Sequence, residues 1–268
     1  MGRQHMKLMK WRELDILISQ ADIVLEIIEA RNPISTRCRF VEEVVKRKNK
    51  KLVVVLNKCD LVPKDVCRSW TKLLASEGFT AICFSRKFKK HVEYLKRLIE
   101  DIVEIKPITV AVVGYPKVGK SSLINALKGK NSASTSPYPG SPGYTKASQK
   151  YKVAPGVYLI DTPGIIPIHN TNDIELLIRS SPIEKIGNTL HVVFKLIETI
   201  INNNKYAFKE TYGIDSLDPL EILNRLAIKR GWFIGKGSER EPNLFEASRA
   251  IIRDYLKGKI KFYISPPT

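Results

Sequence analysis

The sequence predicts an α/β domain over residues 1–168, a mostly parallel sheet flanked by helices, followed by a small all-α domain over 169–268. Three observations carry this. Short apolar runs rich in Val and Ile recur through the first part, bounded by polar or Gly/Pro segments, as buried strands are. Stretches with helical spacing lie between most of them, and strand alternating with helix implies a parallel sheet covered on both faces. Past residue 168 the strand-like runs stop and the pattern to about 257 is helical.

Trp11, Leu14, Leu17 and Ile18 fall at helical spacing within 10–20. Strands are expected at 22–28, 51–56, 79–85, 108–114, 149–154 and 157–161, with Pro155-Gly156 turning the last two into a hairpin. Helices are expected at 36–48, 64–77, 91–104 and 120–128. The segment 130–145, "KNSASTSPYPGSPGYT", is too rich in Ser, Pro and Gly for a regular element. In the second part, Asp218-Pro219-Leu220-Glu221 opens a helix with a capping acid, Pro at its first position and Glu three residues after the cap. Asn243 with Glu246 opens another, which Gly258 ends.

The formal net charge of +18 favours a polyanionic partner, of which nucleic acid is the commonest inside a cell. Most of the surplus, 15 charges, lies in 1–168 and only 3 in 169–268. The apolar runs are far too short to span a bilayer, and the basic N-terminus lacks the apolar core of a secretory signal, so a membrane is not the expected partner. Cys38, Cys59, Cys67 and Cys83 show no CxxC spacing and the four His are scattered, which reads as free thiols in a reducing, cytoplasmic setting rather than as a zinc site.

Gly114-Tyr-Pro-Lys-Val-Gly119-Lys120-Ser121 satisfies GxxxxGK[ST] between an expected strand and an expected helix, the context that this phosphate-cradling motif requires. Its nucleotide-contacting set is Gly114, Lys117, Val118, Gly119, Lys120, Ser121 and Ser122, with backbone amides and the helix N-terminus around the β-phosphate. Lys120 is expected to reach the β- and γ-phosphates, and Ser121 to hold Mg2+. Asp161-Thr162-Pro163-Gly164 ends the 157–161 strand, where Asp161 suits a role at Mg2+ and the Gly164 amide can meet the γ-phosphate. Thr145, in "PGYT", is the candidate switch residue for Mg2+ and γ-phosphate together.

Asn57-Lys58-Cys59-Asp60 follows the most apolar strand, so it falls at the carboxyl edge of the sheet, where nucleotides bind. Asp60 can accept from the N1–H and exocyclic amine of guanine, a bidentate contact that adenine cannot match. The Lys58 stem can lie over the base, Asn57 can tie this loop to the phosphate loop, and the Ser85 backbone can meet the guanine O6. The order is unusual, because the guanine reader precedes the phosphate loop. Only which loops are neighbours matters to the geometry, so a rotated order is compatible with one site.

With this order and "ADIVLEIIEARNP" upstream, the sequence resembles the circularly permuted GTPases of the YlqF/YawG family, which assist assembly of the large ribosomal subunit. Glu29 stands where that family's signature has Asp, before Ala30, Arg31 and Pro33. The resemblance implies a permuted P-loop GTPase fold, GTP or GDP with Mg2+, rRNA and the large subunit or its precursor as partners, and a helical C-terminal domain that meets RNA. In the family an Asn of the phosphate loop helps hold a potassium ion; here Lys117 stands there, and its ammonium either replaces the ion or faces solvent. The chain is expected to act as a monomer.

Hydrolysis needs a water held in line, and many GTPases use a Gln just after DxxG. Here that residue is Ile165, which cannot orient water, and the resemblance likewise implies a GTPase without that Gln. Slow hydrolysis is expected until a partner completes the site. The competing reading is an RNA-binding adaptor that keeps guanine nucleotide as a structural switch and seldom cleaves it. For RNA, Arg249, Arg253 and Lys257 form one stripe at i, i+4, i+8, with Phe245, Ile251, Ile252, Tyr255 and Leu256 expected to pack inward. Lys229 and Arg230 beside Trp232 add charge and a stacking surface.

Overall fold

The computed structural model describes residues 11–103, 105–129, 149–162, 174–186, 188–235 and 239–267. The chain divides into two compact units, one of 1–171 with 265–268 and one of 172–264.

The first unit is built on a six-stranded sheet of order β3-β2-β1-β4-β6-β5. Its strands are β1 (Ile23–Glu29), β2 (Lys51–Asn57), β3 (Thr80–Cys83), β4 (Ile108–Val113), β5 (Gln149–Ala154) and β6 (Val157–Asp161). All neighbours pair in parallel except the edge hairpin β5–β6. Every residue of β1 is buried, as befits a central strand of a sheet covered on both faces. Helices α1 (Trp11–Gln20), α2 (Pro33–Thr36), α3 (Arg39–Arg47), α4 (Lys64–Ser76), α5 (Lys89–Ile102) and α6 (Lys120–Lys128) alternate with the strands.

The helix expected at 36–48 is two. Arg37 and Cys38 take extended backbone between α2 and α3. Their sequence does not forbid a helix; a tertiary contact does. The Cys38 amide donates to the buried Glu26 carboxylate of β1 at 2.6 Å, and Arg37 forks onto Glu42 at 2.8 and 2.9 Å. The strand expected at 79–85 is also shorter, because Phe84 and Ser85 turn toward the loop after β2.

The second unit contains α7 (Ile174–Ser180), α8 (Thr189–Asn203), α9 (Ala207–Tyr212), α10 (Pro219–Arg230) and α11 (Leu244–Lys257) around a core that includes Val193, Ile197, Leu226, Ile251 and Tyr255. Asp218 and Asn243 cap α10 and α11 by accepting from Leu220 and Glu246 amides, each at 3.0 Å. Gly258 closes α11 with φ +74°, the left-handed backbone that glycine takes without strain. Two details differ from the sequence reading. A hairpin of two-residue strands, β7 (Phe233–Ile234) and β8 (Glu241–Pro242), interrupts the helices and is too short to show a period of two. Phe245, expected inward, is 53% exposed, because it lies in the first turn of α11, beyond the packed stripe.

Candidate functional site

β1, β2 and β4 end side by side at one edge of the sheet. The strand order runs outward in opposite senses from β1 and β4, which leaves between them the crevice at which open α/β sheets bind ligands. The loop after β4 carries residues 114–119 into α6. The loop after β2 carries Asn57 to Asp60.

Two glycines shape the first loop. A Cβ on Gly114, at φ +141°, would collide with the Ile27 carbonyl of β1. One on Gly119, at φ +106°, would collide with the Asn57 amide nitrogen. That second approach joins the two loops: Asn57 Nδ2 donates to the Val118 carbonyl at 2.8 Å, across 61 residues of sequence. Asn57 Oδ1 accepts from the Lys58 amide at 2.8 Å, so both ends of one buried side chain are committed.

Lys120 begins α6 and is buried. Its Nζ donates to the carbonyls of Gly114 and Tyr115 at 2.9 and 3.0 Å. Burial pushes its pKa down to about 8, against the opposing pull of Asp161. Asp161 ends β6. Burial raises its carboxyl above the usual range, partly offset by Lys120, the Thr162 backbone and the Ser121 hydroxyl. Its Oδ1 is buried with no hydrogen-bond partner. A hard carboxylate oxygen in want of a cation, beside the Ser121 hydroxyl, fits Mg2+ rather than a softer metal. Thr162 Oγ1 reaches the Val112 carbonyl of β4 at 2.7 Å and so fixes the start of this loop. Lys117 is exposed, with left-handed backbone at φ +62°, and Ser122 is half-buried in α6. Thr145, Gly164 and Ile165 lie outside the described residues.

The second loop is organised by charge. Lys58, itself left-handed at φ +59°, puts its ammonium 2.8 Å from Glu29 Oε2, and Arg31 pairs with the same carboxylate. Glu29 and Arg31 are both buried. Asp60 accepts from Ser85 Oγ at 2.7 Å and pairs with Lys87 at 2.6 Å. Burial alone would raise the Asp60 carboxyl, but the Lys87 and Ser85 contacts outweigh it and hold it below its ordinary value. It is an ionised acceptor facing the loop edge.

Ser85 lies beside the guanine loop, with its polar groups engaged within the protein. Its backbone N–H, proposed for a guanine carbonyl, donates to His91 Nδ1 at 3.2 Å, and its hydroxyl holds Asp60. The cause is the turn at Phe84, whose N–H and C=O pair with Leu56 and Cys59. Sequence reasoning missed Glu29 and Arg31 as parts of the site; "EARNP" after an apolar strand was the signal. It also missed Thr162, visible only as the second residue of "DTPG".

The stripe on α11 is paired locally. Glu246 meets Arg249 at 3.6 Å and also pairs with Arg253. Lys229 Nζ is turned onto the Tyr212 carbonyl. Among the described residues all four cysteines are free thiols, no group of three or more His, Cys, Asp or Glu is arranged to hold a metal, and no helix is long and apolar enough to cross a membrane.

Residues 109–225 match the family model described as 50S ribosome-binding GTPase. The match begins at the strand before the phosphate loop, so Asn57–Asp60 lies upstream of it, as a rotated order requires. An uncharacterized GTP-binding protein of Methanocaldococcus jannaschii is 34% identical over 92% of this chain and 65% of its own. Nucleolar GTP-binding protein 2 of Saccharomyces cerevisiae is 33% identical over 96% of this chain and 53% of its own. The chain thus spans about half to two thirds of the length of these relatives. GDP-bound YlqF of T. maritima shares the fold, with TM-score 0.66 and 23% identity over 95% of this chain and 98% of that one.

Proposed function

We propose that the chain is a circularly permuted GTPase related to the nucleolar GTP-binding proteins, that it binds GTP and GDP with Mg2+ and hydrolyses GTP, and that it acts in large-subunit assembly by engaging rRNA or a precursor particle. The observation that carries the reading is the Asn57–Val118 hydrogen bond against Gly119, which makes one site of two loops 61 residues apart.

Guanine is read by Asp60, already ionised and aimed by Ser85 and Lys87. Glu29 neutralises the Lys58 ammonium, which leaves the methylene stem to cover the base. Phosphates enter at the amides of Lys117 to Ser122, and Lys120 turns from the loop carbonyls to the β- and γ-oxygens. Ser121 and Asp161 are the residues that would hold Mg2+, and the ion would supply charge neutralisation for phosphoryl transfer. Thr145 and Gly164 keep their proposed parts at the γ-phosphate. Ile165 cannot position water, so turnover is slow until a partner completes the site.

The domain roles follow the sequence reading, residues 1–168 holding nucleotide and 169–268 meeting RNA, in a chain that acts as a monomer. Glu246 screens two of the three stripe cations on α11, so the surplus of 15 charges in 1–168 supplies most of the attraction to rRNA. The chain's location follows the particle it assembles: cytoplasm where ribosomes mature there, nucleolus where they mature as for its nucleolar relatives.

The deciding experiment is GTP hydrolysis with and without large ribosomal subunits, in potassium and in sodium, beside Asp60→Asn. Stimulation by subunits, lost in the variant, supports the proposal. Guanine nucleotide binding without stimulation supports the adaptor reading, which Ile165 favours. Equal rates in the two salts would show that hydrolysis needs no potassium ion beside Lys117.

A further inference from the structure

The guanine-reading loop borders a cavity of about 550 Å3 whose thiols the nucleotide reading does not use. Cys59, Cys67 and Cys83 all line it, from the loop after β2, from α4 and from the end of β3. The three thiols face one cavity, the Cys67 thiol feels both of the others, and Cys59 Sγ lies 3.7 Å from His91 Nδ1. Cys59 and Cys83 are partly exposed while Cys67 is buried. Lys64, Arg68 and Lys90 also line the cavity; its one acid, Asp60, is already paired with Lys87. Reactive thiols are found in such electropositive, partly open surroundings, whereas structural thiols are enclosed and inert. Cys38 supplies the contrast, fully enclosed and with its thiol pushed up to about 12 by burial.

We propose that this cavity is a thiol–disulfide exchange site for a small anionic disulfide, where Cys83 attacks and Cys67 resolves, and whose oxidation weakens guanine binding. The last part rests on the function proposed above. The Cys83 thiolate attacks one sulfur of RS–SR, forming a Cys83–S–S–R bond and expelling RS−. Cys67 then gives its proton to solvent and attacks the Cys83 sulfur, forming the Cys67–Cys83 bond and expelling a second RS−. The protein loses two electrons, which the small disulfide gains. The roles follow from position. Cys83 is the more open of the two, and the Cys67 hydrogen bond lowers its pKa despite burial. Cys67 is raised by its contacts with Cys59 and Cys83 and by burial, and reacts only once its neighbour has been modified.

The coupling is short. Cys83 stands two residues before Ser85, which holds Asp60, and the intervening Phe84 carbonyl accepts the Cys59 amide at 3.1 Å. A covalent bond from Cys83 to α4 draws this turn away from the loop, and Asp60 loses its aim.

The test treats the reduced chain with 5,5′-dithiobis(2-nitrobenzoate), a dianionic disulfide, and in parallel with cystamine, a dication. The expected result is rapid release of two thiolates with no label retained, and a reaction with cystamine at least tenfold slower. Cys83→Ser should abolish the fast phase, and Cys67→Ser should release one thiolate and keep its label on Cys83. A fast phase that survives in Cys83→Ser, or equal rates with the two reagents, overturns the site. GDP affinity should fall at least tenfold on oxidation, recover with dithiothreitol, and stay unchanged in treated Cys83→Ser. Oxidised protein that binds GDP as before overturns the coupling. If the reduced protein binds no GDP at all, the guanine reading fails, and the thiol kinetics still judge the exchange site alone.

Discussion

The two loops that meet at Gly119 are held by different forces. The phosphate loop is a backbone structure: two left-handed glycines, a buried amide contact, and a lysine laid on its own carbonyls. The guanine loop is a charge structure, in which Glu29, Arg31 and Lys58 form one network and Asp60, Ser85 and Lys87 another. Backbone amides suit a ligand whose charge is spread over many oxygens. Fixed side-chain charges suit a ligand told from its rivals by two hydrogen bonds. If this division is right, substitutions in the guanine loop should act through charge and those in the phosphate loop through space and protonation.

The largest effect is expected where charge is most buried. Glu29→Gln keeps the volume and removes the charge that Arg31 and Lys58 face. Breaking a buried pair from one side costs about 3–5 kcal/mol, and urea unfolding should show a loss of that size. A loss below about 1 kcal/mol would mean that the network is solvated and the comparison fails at its first term. Next comes Asp60→Asn. It turns an ionised acceptor into an amide and should weaken GDP binding by about 3 kcal/mol, about 100-fold, with little change in stability. Calorimetry against GDP and ADP measures both affinity and discrimination. A variant that loses affinity yet still prefers GDP would place guanine recognition elsewhere.

Asn57→Ala sharpens the comparison, because Asn57 belongs to both loops. It leaves the Val118 carbonyl without its donor, a cost of about 1–3 kcal/mol. Stability and GDP affinity should therefore fall together, whereas Asp60→Asn separates them. A change in one alone would mean that the loops are not joined through this contact.

These residues also mark where sequence reasoning reached and where it stopped. The sheet was legible because β-branched runs bounded by turn residues have few other uses, and the join between Asn57 and the phosphate loop followed from motif chemistry. What escaped depends on partners distant in sequence. Nothing local tells that Glu26 will pull Cys38 out of a helix, or that Ser85 will give its amide to His91. Glu29 was legible as a signature residue but not as the counter-ion of Lys58, since only the pairing of β1 with β2 brings Glu29 opposite Asn57. The stripe on α11 was read correctly as one face, while its neutralisation by Glu246 depends on rotamers, which periodicity does not report.

The smallest effect concerns protonation and belongs to the phosphate loop alone. Lys120 has a pKa of about 8 in the free protein, against 10.5 for an ordinary lysine. Phosphate oxygens favour the ammonium, so the pKa rises when nucleotide binds. Below about pH 8 the ammonium is already formed and affinity is full. Above it, binding must first take up a proton, and GDP affinity should fall about fivefold between pH 8 and 9. Stability of the free protein runs the other way. The depressed pKa is a penalty present below about 8 that fades as pH rises toward 10.5, where the unfolded chain also loses its proton. The two trends oppose each other, which no general weakening of the fold would produce. Guanosine, which carries no phosphate, supplies the control: its affinity depends on the guanine loop and should change far less over the same interval. A level GDP profile would show that Lys120 is charged and solvated in the free protein, and that the phosphate loop, like its neighbour, depends on a fixed charge.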